Sequence, residues 1–244
     1  MISLGTRENE FGLIEILQYQ ANGLLLYMQG GHFQSETDGN GISLAPYIHS
    51  IYGLLTQAKA RNVLMIGCGG GSLGTMLTKA AVNVTIVDKN PAAFELAREY
   101  FHLPRAVACH IADGKEFLLR TKDRYDAIVL DAFDGDQIPP HLQTAKFFQL
   151  VDSRLHRTHG CLFSNLHALH DLDKGPDQYA ATARRAWNNV RLLDTQGVVR
   201  RNALLIAGDV ASLQKPTILM PPSICREEIA LDLSQMMFRP WRFQ

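Results

Sequence analysis

Acidic side chains at the ends of predicted strands could carry out chemistry on an amine. Asp88, Asp113 and Asp131 each follow a short apolar run typical of a buried strand, and Asp134 lies three residues after Asp131. Several carboxylates at one strand tip are costly unless they bind a cation or take part in chemistry. A carboxylate can hold an ammonium group, accept its proton and free the nitrogen lone pair for attack on an electrophilic carbon. We therefore predict that Asp131 is such a base.

The alternative for these acids is a solvated loop in which Asp134 or Asp136 caps a turn. The chain continues through Gly135 and Pro139, which exclude regular structure. We favour function for Asp131, whose position the strand determines, and a capping role for Asp136.

A glycine-rich loop precedes the acids and predicts a ligand cradle. The apolar residues 63–66 are followed by glycines 67, 69, 70 and 71, and Ser72 then begins an amphipathic helical pattern. Glycine lets the backbone turn sharply against a flat ligand, and the helix start supplies unpaired N–H groups. Gly67, Gly69 and Gly71 have a spacing common in S-adenosylmethionine enzymes, whereas Gly69, Gly71 and Gly74 fit the dinucleotide pattern. The remaining interpretation of this loop is a tight strand-to-helix turn that binds no ligand.

Two of the acids stand where a nucleoside would need them. Asp88 lies about 20 residues after the glycine turn, where a carboxylate can accept hydrogen bonds from both ribose hydroxyls of adenosylmethionine or NAD. Helix capping is a weaker explanation for Asp88, because Asn90 before Pro91 already fits an N-cap. Asp113 is within reach of an adenine amino group or caps the helix 115–120, and one residue can do both.

The elements that position these residues predict an α/β protein with a parallel sheet. Helical and strand patterns alternate from residue 46 onward, so we assign 46–244 to a Rossmann-like catalytic domain. Residues 1–45 differ: Asn22 and Gly23 form a hairpin signal between two apolar runs, and Gly30 and Gly31 break the second of these strands. This small β-cap either covers a sheet end or forms a wall over the ligand site.

The last part of the chain predicts fewer elements. Residues 191–193 and 204–207 indicate a final antiparallel pair, and Arg200 and Arg201 are expected to be solvated in the turn between them. The apolar spacing within 227–237 predicts a short helix that docks on the body of the protein.

Composition bounds the possible partners. The 244 residues carry 24 basic and 24 acidic side chains, which argues against a nucleic-acid or anionic-membrane partner. No apolar run reaches the length of a membrane span, and the first residues do not resemble a signal peptide, so we expect a cytoplasmic protein. The four scattered cysteines predict reduced thiols. His141, His167 and His170 could face the site, but a surface or capping position is favoured for each. His167 and His170 have no third ligand at a suitable spacing, so no metal is predicted.

The chain from 62 to 166 resembles the spermidine/spermine synthase family of polyamine aminopropyltransferases, most closely its methyltransferase-like members. Gln34 and Tyr47 also resemble that family's N-terminal hairpin and the following helix. The stretches that carry the resemblance are 63–73, 87–91, 97–104, 113–118, 125–134, 138–148 and 160–166.

The resemblance implies a Rossmann-like S-adenosylmethionine-dependent methyltransferase fold with a small N-terminal β-hairpin cap. It implies S-adenosylmethionine or its decarboxylated form as co-substrate, a small-molecule amine as acceptor, no metal, and a homo-oligomer, a dimer, formed through the cap. By position, Asp131 would be the base, Asp134 and Tyr47 would lie in the amine pocket, and Gln34 would wall the site. The nucleoside would contact Gly67, Gly69, Gly71, Asp88, Asp113 and Gly114.

Three departures from the family pattern weaken the polyamine assignment. The glycine loop lacks the family's aspartate, which would hold the amine of the decarboxylated donor and repel the carboxylate of ordinary adenosylmethionine. The helix after Tyr47 lacks a glutamate, and Gly135 replaces a proline after Asp134. Aminopropyl and methyl transfer therefore both remain open.

Three functions are compatible with the sequence. The first is a spermidine synthase-like transferase that moves an aminopropyl or methyl group to an amine, with a small-molecule methyltransferase outside polyamine metabolism as its variant. The second is an NAD-dependent oxidoreductase, which leaves Asp131 and Asp134 unexplained. The third is a catalytically silent binding protein on the same scaffold.

Overall fold

The chain forms two β-sheets, and helices pack against the larger one. A computed structural model describes residues 1–135, 137–239 and 242. The first sheet has four strands and the second has eight.

The N-terminal sheet is an antiparallel meander. Its strands are β1 (Ile2–Asn9), β2 (Gly12–Gln18), β3 (Leu25–Gln29) and β4 (His32–Thr37). The predicted hairpin around Asn22 and Gly23 connects β2 to β3. Gly30 and Gly31, interpreted as a break within one strand, instead form the turn between β3 and β4 with φ of 57° and 80°. The cap therefore contains two strands more than a single hairpin, and β1 escapes prediction because it lacks an apolar run.

The second part of the chain alternates strands and helices as predicted up to β9. Its elements are α1 (Pro46–Gln57), β5 (Asn62–Ile66), α2 (Ser72–Lys79), β6 (Asn83–Asp88), α3 (Pro91–Tyr100), β7 (Ala108–Ile111), α4 (Gly114–Arg120), β8 (Ala127–Leu130), a 3-10 turn (Pro140–Leu142), α5 (Ala145–Arg154), β9 (Cys161–Ala168), α6 (Gly175–Ala183), β10 (Val190–Asp194), β11 (Arg201–Gly208), α7 (Arg226–Gln235) and β12 (Met237–Arg239).

The topology of the large sheet explains why the acids converge. The strand order is β12-β10-β11-β9-β8-β5-β6-β7, and β5 pairs in parallel with both β6 and β8. The carboxyl ends of these three strands therefore meet at one edge of the sheet, where ligands bind in open α/β folds. The predicted antiparallel pair near the end of the chain is β10 with β11.

Alternate residues of β5 enter opposite layers of the core, as in a strand covered on both faces. Val63 and Met65 pack on the side of α1 and α2, whereas Leu64 and Ile66 pack on the side of α5. A smaller cluster joins the N-terminal sheet to α3, with Tyr27 6.1 Å from the ring of Phe101. The domain boundary at residue 45 remains a prediction.

Helix α7 docks on α1, as its apolar spacing predicts. Ile229, Leu233 and Met236 are buried, and Met236 also accepts a hydrogen bond from Ser50 Oγ at 3.0 Å. None of the described helices is both long and apolar enough to cross a membrane.

A buried ion cluster joins the last strands to α6. Arg201 was expected in a solvated turn, and this was wrong: it is buried and donates to Asp194 Oδ1 at 2.7 Å. Arg239 donates to Asp194 and to Asp177, each at 2.8 Å. Burial disfavours the Asp194 anion, but bonds from the two arginines outweigh it and lower the pKa of that carboxyl.

We predict that Arg239→Met destabilises the protein by about 3–5 kcal/mol, because Asp177 then keeps a buried charge without its arginine. The Asp177 side chain is 0% exposed. The free energy of unfolding is measured by urea titration.

The control for that experiment is Arg120→Met, which removes an ion pair with Glu116 on the surface of α4. Arg120 is 78% exposed in that pair, so we expect a change within about 0.5 kcal/mol. Equal losses in the two variants would contradict a structural role for the buried cluster.

Candidate active site

The glycine loop begins where β5 meets the end of β8. Gly67, Gly69 and Gly71 have φ of 103°, 50° and 68°, conformations that side chains disfavour. A Cβ on Gly67 would lie 2.1 Å from the carbonyl oxygen of Asp131. Glycine at 67 therefore permits a close backbone contact between two strand ends.

Two side chains hold this loop. Asp88 Oδ2 accepts a hydrogen bond from the backbone N–H of Cys68 at 2.8 Å, and Ser35 Oγ accepts from the N–H of Gly70 at 2.9 Å. The first bond ties the loop to the end of β6, and the second ties it to β4. The N-terminal sheet is therefore part of the loop's support.

A cavity of about 480 Å³ opens over the loop, within the usual size range of small-molecule sites. It contains all of the predicted nucleoside-binding residues except Gly71, which begins α2 as its N-cap. The cap contributes five aromatic or polar side chains to the wall. The predicted residues and these cap residues are Gly67, Gly69, Asp88, Asp113, Gly114, Gln34, Glu10, Phe11, Gln29 and His32.

Asp88 is positioned at the carboxyl end of β6 rather than used as a helix cap. Its Oδ1 accepts from the N–H of Asn90, and Asn90 caps α3 by accepting from Ala92 at 3.1 Å. Burial raises the pKa of Asp88 despite these backbone hydrogen bonds. The carboxylate lines the cavity, so its remaining lone pairs can accept bonds from ligand hydroxyls.

Asp113 caps α4 and also faces the cavity. Its Oδ1 accepts from the N–H groups of Lys115 and Glu116 at 2.9 and 3.2 Å, so the capping alternative is confirmed. Its Oδ2 lies 2.8 Å from His141 Nε2. Burial opposes ionisation of Asp113, but the His141 hydrogen bond and the cap bonds lower its pKa. His141 is thus a partner of a site residue.

Three polar side chains orient the Asp131 carboxylate. The Tyr47 hydroxyl donates to Oδ2 at 3.1 Å, and Asn165 Nδ2 donates to Oδ1 at 2.9 Å. Asn202 Nδ2 in turn donates to Asn165 Oδ1 at 2.9 Å, which fixes the orientation of that amide. Neither asparagine was predicted from the sequence; the available signal was the polar pair Ser164 and Asn165 within the mostly apolar run at the start of β9.

Loss of surrounding water raises the pKa of the half-buried Asp131, although the Asn165 and Tyr47 bonds lower it. Burial, and then the Asp131 charge, raise the pKa of Tyr47 far above its ordinary value, so the phenol remains a donor. Asp131 is therefore a carboxylate with unusual affinity for a proton, held in one orientation.

A second cavity of about 350 Å³ adjoins the first. The second cavity, unlike the first, is lined by Tyr47, Glu36, Asn165 and His167. Seven residues line both cavities, among them Asp131 and Gln34. Asp131 therefore stands at the junction of two connected spaces. This arrangement could bring a molecule in each space to one carboxylate.

Asp134 is not among the residues lining the second cavity, where the amine pocket was predicted. It is exposed, lines the larger cavity, and forms a tight turn with Gln137, whose carbonyl accepts from its N–H at 2.8 Å. Asp136, the predicted turn cap, lies outside the described residues.

Two further side chains of the second cavity were not assigned a role from the sequence. His167 stacks on Phe133 with ring centroids 4.5 Å apart. The Glu36 carboxyl is half-buried, and burial raises its pKa. Among the described residues, no hydrogen bond or ion pair to that carboxyl is found.

Part of the chain is similar to known proteins. Residues 63–150 match the family model of a methyltransferase domain. Over 128 residues, the chain is 32% identical to the polyamine aminopropyltransferase of Vibrio vulnificus; the match covers 49% of this chain and 42% of that protein. The chain thus spans less than half the length of this curated relative.

Two solved structures share the fold over nearly the whole chain. A probable spermidine synthase from Corynebacterium glutamicum superposes with a TM-score of 0.77 at 19% identity, covering 96% of this chain and 90% of that one. A spermidine synthase in complex with the transition-state analogue AdoDATO superposes with a TM-score of 0.69 at 17% identity, covering 94% and 84%.

The chain is thus similar in sequence to part of the polyamine aminopropyltransferases and similar in fold to spermidine synthases. Its fold is the α/β fold of methyltransferase domains, preceded by antiparallel N-terminal strands. The methyltransferase match ends inside α5, so β9 to β12, which supply Asn165 and Asn202, lie beyond it.

We predict that Gly67→Ala destabilises the protein by clearly more than the ~1–2 kcal/mol expected of backbone strain alone. The added methyl would collide with the Asp131 carbonyl, and two strand ends would have to separate. The melting temperature and urea midpoint measure the effect.

Gly197→Ala is the matched control, since Gly197 also has a positive φ of 85° but has no atom within 4 Å of an added Cβ. If both variants lose the same stability, the close contact between β5 and β8 has no energetic weight.

Proposed function

We propose that this protein is a transferase that moves an alkyl group, aminopropyl or methyl, from an S-adenosylmethionine-type sulfonium donor to a small-molecule amine. The observation that carries the proposal is the oriented Asp131 carboxylate at the junction of two cavities. The names of the curated relatives support the same reaction class.

The residues of the larger cavity fit an adenine nucleoside. Asp88 offers carboxylate oxygens for ribose hydroxyls, and the flat loop at Gly67 and Gly69 lets a ligand approach the backbone. Asp113 and Gly114 line the far side, where an adenine amino group needs an acceptor. Gln34 walls the cavity from the cap. The sulfonium donor supplies an already activated leaving group.

Asp131 would accept the proton of the amine held in the second cavity. As the new C–N bond forms, the C–S bond breaks and its electrons remain on sulfur, which becomes a neutral thioether. The proton lost from nitrogen goes to the Asp131 carboxylate, whose raised pKa suits it to hold that proton. Tyr47 and Asn165 keep the carboxylate aimed at the nitrogen, so the protein contributes mainly orientation and a dry environment.

The proposal includes methyl transfer as well as aminopropyl transfer, because the glycine loop has no carboxylate side chain. Residues 67–74 contain no acid, so nothing in this loop would repel the carboxylate of ordinary adenosylmethionine. The match to a methyltransferase domain favours the same possibility. Calorimetry with adenosylmethionine, its decarboxylated form, methylthioadenosine and NAD distinguishes the donors, and binding of NAD alone would eliminate the proposal.

The proposal includes the organisation of the chain. Residues 46–244 would form the catalytic domain, and residues 1–45 would form a cap that closes the donor cavity and joins two copies in a homodimer. The acceptor is a small amine.

Asp131→Asn is expected to lower turnover by about 10²–10⁴-fold, the usual contribution of a general base. Nucleoside affinity should change little, because asparagine keeps the shape of the side chain and one of its two hydrogen-bonding oxygens. Product formation is followed by mass spectrometry, and affinity by calorimetry. Unchanged turnover in a folded variant would refute Asp131 as the base.

Glu36 is proposed to hold a second positive charge of the acceptor. It stands on β4 across the second cavity from β8, and its charge, like that of Asp131, raises the pKa of Tyr47 between them. A half-buried carboxylate is best satisfied by a cation.

We therefore expect Glu36→Gln to raise the KM of a diamine by about 10-fold, with little change in kcat. This is the effect expected from the loss of one hydrogen bond to a charged group. A monoamine of similar length should be unaffected. Glu8→Gln, on the exposed face of β1, serves as the control. Equal effects on diamine and monoamine would exclude this role for Glu36.

A further inference from the structure

A cluster of metal-ligating side chains lies at the amino edge of the large sheet, away from the candidate active site. Asp126 directly precedes β8, and His156 and His159 belong to the turn that precedes β9. The Asp126 Oδ1 atom lies 2.9 Å from His159 Nε2 and 3.6 Å from His156 Nε2. The two imidazole rings stack with centroids 4.8 Å apart. Both imidazoles thus present the same nitrogen to one carboxylate oxygen.

Backbone contacts hold the Asp126 carboxylate in this orientation. Its other oxygen, Oδ2, accepts from the N–H groups of Arg61 and Asn62 at 2.8 and 2.9 Å. Oδ1 is therefore left to face the imidazoles. In metal sites, such outer hydrogen bonds aim a ligand and increase affinity.

The histidine turn is also tied to the strand. His156 N–H donates to the Tyr125 carbonyl at 2.9 Å, and Cys161 N–H donates to the Asp126 carbonyl at 3.0 Å. Gly160 N–H closes the turn onto the His156 carbonyl at 2.9 Å, and a Cβ at Gly160 would lie 2.5 Å from that same oxygen. The three ligand-bearing residues are thus held together without a metal.

The spacing of the three atoms suits tetrahedral Zn²⁺. With Zn–N and Zn–O bonds of about 2.0–2.2 Å, two ligands of one ion lie ~3.3 Å apart. The observed 2.9 and 3.6 Å bracket this value, and all three ligand atoms lie within 4.8 Å of one another. The His156 and His159 side chains are 41% and 49% exposed, so water can reach a fourth position.

We propose that Asp126, His156 and His159 bind Zn²⁺, which clips the turn before β9 to the start of β8. Two imidazole nitrogens and one carboxylate oxygen are ligands that Zn²⁺ accepts readily. The site could not be predicted from the sequence, because His156 and His159 lie 30 and 33 residues from Asp126. This site is independent of the proposed transferase activity.

The test is Zn²⁺ titration of the metal-free full chain at pH 7.5, by calorimetry and by the shift in melting temperature. Co²⁺ replaces Zn²⁺ in a parallel titration, and tetrahedral coordination should give its intense visible absorption. We expect one Zn²⁺ per chain and a higher melting temperature. His156→Gln and His159→Gln should each weaken binding by at least the ~10–100-fold that even outer-shell substitutions cause.

His110→Gln is the matched control, since it removes an exposed histidine on β7 and should leave binding unchanged. Melting without metal shows whether the variants fold. Failure of Zn²⁺ to bind the wild-type chain would overturn the proposal and leave an ordinary aspartate–histidine ion pair. Binding that survives both ligand substitutions would overturn it as well.

Discussion

The backbone contact between the ends of β5 and β8 is the constraint on which the candidate site depends. Parallel pairing of β5 with β6 and β8 brings three strand ends to one edge, but only a residue without Cβ lets the loop after β5 pass the carbonyl of Asp131. The same contact places the Asp131 carboxylate, the proposed base, beside the glycine loop. A nucleoside over the loop would therefore have its reactive carbon near the Asp131 carboxylate without any further arrangement of the chain.

The N-terminal sheet completes the site instead of merely covering the sheet end. Ser35 bonds to the glycine loop, while Gln34 and Glu36 line the cavities on either side of it. Two carboxylates with raised pKa values, Glu36 and Asp131, face the second cavity. Since the charged form of each is disfavoured by desolvation, a cationic ligand would relieve both, which accounts for an amine as the molecule that this space would select.

Features that depend on neighbouring residues could be predicted from the sequence, whereas features that depend on residues far apart in the chain could not. The strand before Gly67, the helix cap at Asn90 and the alternation of elements are local patterns, and the structure confirms them. Tyr47 was named from the resemblance and Asp131 from its position at a strand end, and the two side chains do meet. Their supporting residues, Asn165 and Asn202, could not be found, because each acts through a partner 34 or 37 positions away.

The same reason explains the error at Arg201. The pair Arg200 and Arg201 stands in a turn-like sequence, where charged side chains are ordinarily solvated, and no local signal reveals Asp194 as the buried partner of Arg201. The prediction at Gly30 and Gly31 was wrong for a different reason. Two adjacent glycines indicate a break in a strand, but the pairing of the flanking strands decides whether the chain continues or reverses there.

The C-terminal elements matter to the site because they hold the residues that aim Asp131. Arg201 precedes Asn202 on β11, so anchoring this arginine on Asp194 fixes the start of the chain of amides that ends at Asp131. Helix α7 packs on α1, which carries Tyr47. A buried ion cluster gives little net stability compared with apolar packing, but its bonds are satisfied in only one arrangement of β10, β11 and β12. The ion cluster therefore contributes mainly to the position of these strands. It holds them where Asn202 and Asn165 can orient the Asp131 carboxylate between the two cavities.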